Sequence, residues 1–201
     1  MIRALLILFF PALLFSVEIS DHASDVFSTG QPPPWVQPAD YDLSPATVKP
    51  SQVNVQYLLI DTQRNWEEKT VFKQTAIKPL TQAGVEEVSH LKLVFNPAFT
   101  RICVHAIRVY RNGMWHDRLS TARHHLLQRE DNLEMQIYSG RLTLVYFISD
   151  IRVGDLVEYQ YSYIGGNPLF TTHLDDSVYL EERASIEKIS YRLIANQGRD
   201  L

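Results

Sequence analysis

Residues Leu156 to Ile164 read Leu-Val-Glu-Tyr-Gln-Tyr-Ser-Tyr-Ile. Val157, Tyr159, Tyr161 and Tyr163 fall on one parity, and Glu158, Gln160 and Ser162 on the other. A period of two belongs to a β-strand, whose successive side chains leave opposite faces. The run is framed by turn chemistry: a polar stretch around Gly154 before it, and Gly165-Gly166-Asn167-Pro168 after it. A lone strand cannot bury its tyrosine face, so the rest of the chain must supply a sheet.

It does so in short runs of β-type residues. Val53, Val55, Tyr57 and Leu59 alternate with Asn54, Gln56, Leu58 and Ile60. Trp66 to Ile77 alternates more loosely and carries Glu67, Glu68, Lys69 and Lys73, as an outer strand would. In Val88 to Phe95, Leu91, Leu93 and Phe95 share a face, although spacing by three through Val85, Val88 and Leu91 leaves a helix open over Gln82 to Leu91. Ile102 to Arg111 leads into Asn112-Gly113 and back through Met114-Trp115-His116. Asn-Gly between apolar runs marks a tight hairpin, because both turn residues take positive φ. Leu142 to Ser149 is apolar on both faces and reads as a central strand. Val178 to Glu182 and Ile186 to Ile194 read as two last strands, and Leu119 to Glu130 has the composition of one short helix.

Eight or nine short strands with few long crossovers predict antiparallel pairing. The expected fold is all-β, mainly antiparallel: a two-sheet β-sandwich with one short helix over residues 52–201, with a semi-open barrel as the alternative. Two segments precede it. Residues 1–20 open on a basic Met1-Ile2-Arg3, followed by an apolar run from Ala4 to Val17 that Glu18 ends. This is the pattern of a secretory signal, too short for an ordinary membrane span. No clean small-x-small site follows, so an uncleaved anchor stays open, and with it a membrane attachment. Residues 21–51 form a Pro-rich linker with Pro32-Pro33-Pro34-Trp35, Pro38, Pro45 and Pro50, unsuited to a long helix or an inner strand. Trp35 and Tyr41 either pin this arm to the folded body or form a docking motif for a partner.

The segment Ser149-Asp150-Ile151-Arg152-Val153-Gly154-Asp155-Leu156-Val157-Glu158-Tyr159-Gln160-Tyr161-Ser162-Tyr163 resembles the hallmark of an uncharacterised domain of exported bacterial proteins. Gly84-Val85-Glu86-Glu87, Phe95-Asn96-Pro97 and Val109-Tyr110-Arg111-Asn112-Gly113 agree with it in order. The resemblance implies a sandwich-like module without known catalysis, lying N-terminal to a transglutaminase-like domain that carries the chemistry. It also implies a location in the periplasm or cell envelope, with that domain or another envelope protein as partner.

Candidate chemistry is sparse. The single cysteine, Cys103, excludes an internal disulfide and a Cys-rich zinc site. It shares a strand face with His105, and the two could touch. However, a cysteine nucleophile of transglutaminase-like enzymes sits at a helix start, and Cys103 does not. His124-His125 in a helix would point about 100° apart and could not share a metal. His116, His173 and Asp175-Asp176 are scattered in turns. Glu67-Glu68 and Glu86-Glu87 would split across strand faces, which defeats paired acid–base work. Tyr159, Tyr161 and Tyr163 face the core or form a stacking platform. A formal net charge of -4 gives no footprint for nucleic acid. No phosphate loop, serine elbow or metalloprotease motif occurs. No residue is therefore assigned a catalytic, cofactor-binding or metal-ligating role. The expectation is a non-enzymatic exported accessory or interaction domain. A fragment of a transglutaminase-like cysteine hydrolase, and a carbohydrate- or peptide-binding β module that would need exposed rings such as Trp66 and Trp115, are the alternatives.

Overall fold

The computed structural model describes residues 26–43, 53–128, 140–168 and 184–195. The expected signal segment and the expected strand Val178–Glu182 lie outside these residues. The described elements, in chain order, are β1 (Phe27–Thr29), β2 (Val55–Asn65), β3 (Thr70–Pro79), α1 (Gln82–Val88), β4 (His90–Phe95), β5 (Thr100–Arg111), β6 (Met114–Asp117), β7 (Arg123–Gln128), β8 (Leu142–Phe147), β9 (Leu156–Gly165), β10 (Ser185–Ile186) and β11 (Ile189–Ile194).

They form two sheets. The larger has the order β1-β5-β9-β3-β2-β10, with β11 also on β2 and β6 on β5; the smaller is β4-β8-β7. Every pair is antiparallel except β1 with β5 and β10 and β11 with β2. These parallel strands come from opposite ends of the chain, so the chain between them serves as the long crossover that parallel pairing needs. The all-β, mainly antiparallel two-sheet fold is as the sequence predicts, and the sheets do not close into a barrel.

The central strands follow from local chemistry. Asn112 and Gly113 both have positive φ, 53° and 80°, and set Arg111 opposite Met114. This is the mirror-image turn whose twist suits a hairpin. β8 is the middle strand of the small sheet, in keeping with its apolar faces. α1 starts at Thr81, whose Oγ1 accepts the Gly84 N–H at 3.1 Å, satisfying a donor that the first helical turn leaves open.

Two expectations are corrected. Leu119 to Glu130 contributes a strand, β7, and not a helix. Its start is set by Asp117, whose carboxylate takes the Leu119 and Ser120 N–H groups and the Ser120 hydroxyl and thereby holds a tight turn. β7 then supplies the second partner that β8 needs, and sheet pairing overrides helix-forming composition. Trp66 to Ile77 is not an outer strand. Residues 66–69 turn the chain, with Lys69 at positive φ, and β3 lies between β9 and β2.

The core sits between the sheets. Ile102, Val104, Ile107, Val109, Val157 and Tyr159 of the large sheet meet Leu91, Leu93, Phe95, Leu144 and Tyr146 of the small one. Burying each such side chain contributes about 1.5–3 kcal/mol against the entropy of ordering. The Tyr159 hydroxyl crosses the core to donate to the Val88 carbonyl at the end of α1. The other face of the large sheet is not left to solvent. Residues 30–43 run over it, and Ala39, Tyr41 and Leu43 pack on Leu58, Leu59, Ala76 and Leu156.

Candidate functional site

The covered face of the large sheet carries a run of buried polar groups beside the apolar patch of Leu59, Ala76 and Leu156. Strand register lays its side chains in rows across β2, β3, β9 and β5. One row is Gln63, Phe72, Ser162 and Cys103; the next is Asp61, Gln74, Gln160 and Ala106; the third is Leu59, Ala76, Glu158 and Arg108. Glu158 and Ser162 are fully buried, and Asp61, Gln63 and Gln74 nearly so. The polar parity of β9 is thus an interior surface.

Burial demands partners for these groups. Glu158 has four: Oε1 accepts from Arg108 Nε at 2.7 Å and Gln160 Nε2 at 2.8 Å. Its Oε2 accepts from the Tyr41 hydroxyl at 2.5 Å and Gln74 Nε2 at 3.0 Å. Burial, and then the Glu158 carboxylate, push the Tyr41 phenol far above its ordinary range, so it remains a donor. The Arg108 guanidinium lies 4.2 Å over the Trp115 ring, which shields this end of the row.

The arm above is held largely by its backbone. Gln63 Oε1 accepts the Gln37 N–H at 3.0 Å, and Gln63 Nε2 donates to the Gln37 carbonyl at 2.6 Å. Arg192 Nη1 donates to the Trp35 carbonyl at 2.7 Å, and Lys188 Nζ to that of Asp40 at 2.5 Å. Side-chain contacts add to these: Tyr41 on Glu158, Trp35 Nε1 on Glu68 at 2.7 Å, and the packing of Ala39 and Leu43 on the sheet. A turn closed by Val36 N–H on the Pro33 carbonyl shapes the arm before it meets Gln63. Between arm and sheet a cleft of about 530 Å³ stays open, lined among others by Pro33, Pro38, Phe72, Arg108, Trp115 and Gln160.

Cys103 and His105 do come together. A bulge between Val104 and Ala106 re-aims β5, and His105 Nδ1 lies 3.7 Å from the Cys103 sulfur. That nitrogen is also 3.0 Å from the Gly30 carbonyl, an acceptor, which makes it the protonated one. Nε2 then accepts the Ser162 hydroxyl at 2.8 Å. The imidazole thus has no free lone pair toward the thiol, and burial holds it below its ordinary pKa, away from the imidazolium that would stabilise a thiolate. Ser162, the other group on the ring, is fully buried and offers no approach to a substrate.

The remaining candidates are dispersed. On β7 both histidines are exposed and on opposite faces: His124 lies edge-on to Phe27, while His125 shares Phe147 with His90. His116 is half-buried on β6; His173 and Asp175-Asp176 lie outside the described residues. Among the described residues no group of three His, Cys, Asp or Glu could hold a metal ion. Glu67 and Glu68 are exposed on the β2–β3 turn, Glu86 and Glu87 on α1. Tyr159 is buried and Tyr161 and Tyr163 pack half-buried against the core, while Trp66 and Trp115 are half-buried, so the tyrosines form no stacking platform.

The hallmark turn does structural work. Arg111 forks onto Asp155, with Nε at 2.8 Å and Nη2 at 2.6 Å, and also takes the Asp150 carboxylate and carbonyl. Arg118 and Arg152 join on Asp150, whose carboxyl the Arg111 and Arg152 guanidiniums hold below the usual range. Asp155 also accepts the Arg152 N–H at 2.7 Å. Glu158 and Gln63 escaped notice in the sequence. The available signal was a face rich in buried-type amides (Gln63 and Gln74, beside Asp61 and Asn65) with little of the lysine of a solvated strand.

No curated protein matches the chain. A crystal structure of a putative protease from Parabacteroides distasonis ATCC 8503 superposes with a TM-score of 0.47 at 13% identity, over 56% of this chain and 23% of that one. The chain therefore spans under a quarter of that protein. A family model described as a domain of unknown function with solved structure, DUF3857, matches residues 67–201, well over half of the sequence. On that match the chain belongs to the DUF3857 family.

Proposed function

We propose that this is a non-catalytic interaction module of an exported protein, working beside a transglutaminase-like domain or another component of the cell envelope. The observation that carries the reading is the state of its one thiol–imidazole pair. His105 donates from Nδ1 to Gly30 and accepts at Nε2 from Ser162, so neither nitrogen is placed to take a proton from Cys103. The buried polar row around Glu158 is satisfied from within the chain, as a binding surface closed by its own segment would be. Export rests on the basic and apolar start of the sequence, and the transglutaminase-like neighbour on the resemblance of residues 149–163.

The rival reading, a cysteine hydrolase, draws on the 3.7 Å approach of Cys103 and His105. The two are separated by assaying the intact protein and its Cys103→Ala and His105→Gln variants on amide and ester substrates. The module reading predicts the same background rate for all three. A rate that falls by orders of magnitude in both variants would establish the hydrolase.

A further inference from the structure

We propose that the polar face of the large sheet is a groove for an extended, proline-containing peptide, and that this chain's own residues 31–43 occupy it in cis. The proposal rests on the interaction-module reading and names the partner's chemistry: a segment of a partner protein with prolines flanking a free amide unit and a tyrosine hydroxyl beyond it.

The way the arm is held argues for this. Gln63 grips both the N–H and the carbonyl of Gln37 with its single amide, as a neighbouring strand would. Arg192 and Lys188 likewise reach main-chain carbonyls, of Trp35 and Asp40. Contacts to main-chain atoms do not depend on the side chains of the bound segment, so another peptide in the same conformation meets the same donors and acceptors. Pro38 follows the gripped residue and Pro32, Pro33 and Pro34 precede it. Prolines pre-set an extended backbone that has little entropy to lose on docking. Selectivity comes from the far end, where Glu158 is fully buried and presents an acceptor to one hydroxyl, that of Tyr41.

The groove is also not filled to completion. The cleft beside Trp115 and Arg108 remains open under the arm. Asp61 is 1% exposed, lies two residues from Gln63 on the same face, and its Oδ1 has no hydrogen-bond partner among the described residues. A peptide carrying a donor there would satisfy an acceptor that the arm leaves unmet. Glu158, Arg108, Arg192 and Lys188 lie within the residues matched by the family model, whereas the arm lies before them. Gln63 and Asp61, on β2, also lie before the matched residues, so only part of the floor falls within the match.

A tethered occupant has an effective concentration in the millimolar range, so a free peptide competes poorly until the tether is cut. The test uses the full chain with a protease recognition sequence substituted within residues 44–52, cleaved after folding. The probe is a fluorescein-labelled synthetic peptide of residues 31–43, followed by anisotropy. The intact chain should show no saturable binding, and the cleaved chain should bind. Gln63→Leu in the cleaved chain should weaken binding by about tenfold or more, and so should a probe with phenylalanine in place of Tyr41. Three results overturn the proposal: no binding by the cleaved chain whether or not its own arm has left, binding indifferent to Gln63→Leu, or equal binding of a proline-free peptide of the same composition otherwise. Mass spectrometry of the bound probe keeps the two readings apart. A probe recovered hydrolysed contradicts the non-catalytic reading and leaves the groove standing; an intact probe that never bound contradicts the groove alone.

Discussion

Glu158 offers the sharpest test of the covered face. Replacing it by leucine keeps an apolar body of similar size and removes the acceptor of four donors. Arg108, with a side chain 37% exposed, can turn to water, and half-buried Gln160 can follow it. Gln74 is 5% exposed and has no such escape, and Tyr41 would have to lift the arm to reach solvent. Leaving a buried donor unmet costs about 1–3 kcal/mol, and relieving the carboxylate of its own burial offsets part of that. Glu158→Leu should therefore lose about 2–4 kcal/mol, a fall in Tm of roughly 6–12 °C for a domain of this size. Glu158→Gln should lose about 1–2 kcal/mol, because Gln74 can flip its amide and Tyr41 can rotate its hydroxyl to accept from the new NH₂. Urea denaturation followed by circular dichroism measures both. A double-mutant cycle with Tyr41→Phe isolates the link to the arm, with an expected coupling of about 1–2 kcal/mol. If Glu158→Leu is as stable as the parent, or its effect simply adds to that of Tyr41→Phe, the arm is not seated on Glu158 and the account of this face is wrong.

Three further outcomes are expected. A Cβ at Gly84 would lie 2.2 Å from the Asn54 carbonyl oxygen, a backbone atom that also accepts the Leu80 N–H, so Gly84→Ala should destabilise by about 1–3 kcal/mol in the same titration despite its better helix propensity. Burial lowers the pKa of His105 in the folded chain, so below the unfolded value of about 6.5 the unfolded state binds more protons; stability should be level above that pH and fall as pH drops through the window beneath it. His105→Gln should flatten that limb between about pH 6.5 and about pH 5, before the depressed carboxyls of Asp117 and Asp150 take protons, and an unchanged slope would contradict the assignment. The Tyr146 hydroxyl is buried without a hydrogen-bond partner among the described residues, and burial pushes its phenol up to about 12, so Tyr146→Phe should leave the denaturation midpoint unchanged or raise it, and a loss above about 1 kcal/mol would reveal a partner.

Legibility in the sequence followed the range of the forces involved. The Asn112-Gly113 hairpin is set by two neighbouring φ angles, and β9 by its own alternation, so both could be read without knowing their neighbours. Leu119 to Glu130 misled because Asp117 and the edge of β8, not local propensity, decide its conformation. The alternation of β9 sorted its residues correctly onto two faces, but alternation does not say what covers a face. The cover over Glu158 comes from Tyr41, 117 residues earlier, and such a contact leaves no periodic trace. The Cys103–His105 approach was legible from their shared strand face. The hydrogen bonds that occupy the imidazole come from Gly30 and Ser162, which only tertiary structure brings to it.

The claim that Cys103 and His105 do no chemistry is tested most directly by the alkylation rate of Cys103 in the folded chain. A polar iodoacetamide derivative would be used from about pH 6 to about pH 8, with the urea-unfolded chain as reference. An imidazole that donates to Gly30 and accepts from Ser162 predicts a slower reaction in the folded chain at every pH. A folded chain that reacts faster than the unfolded one near pH 6 would reveal a thiolate–imidazolium pair, and would contradict the account.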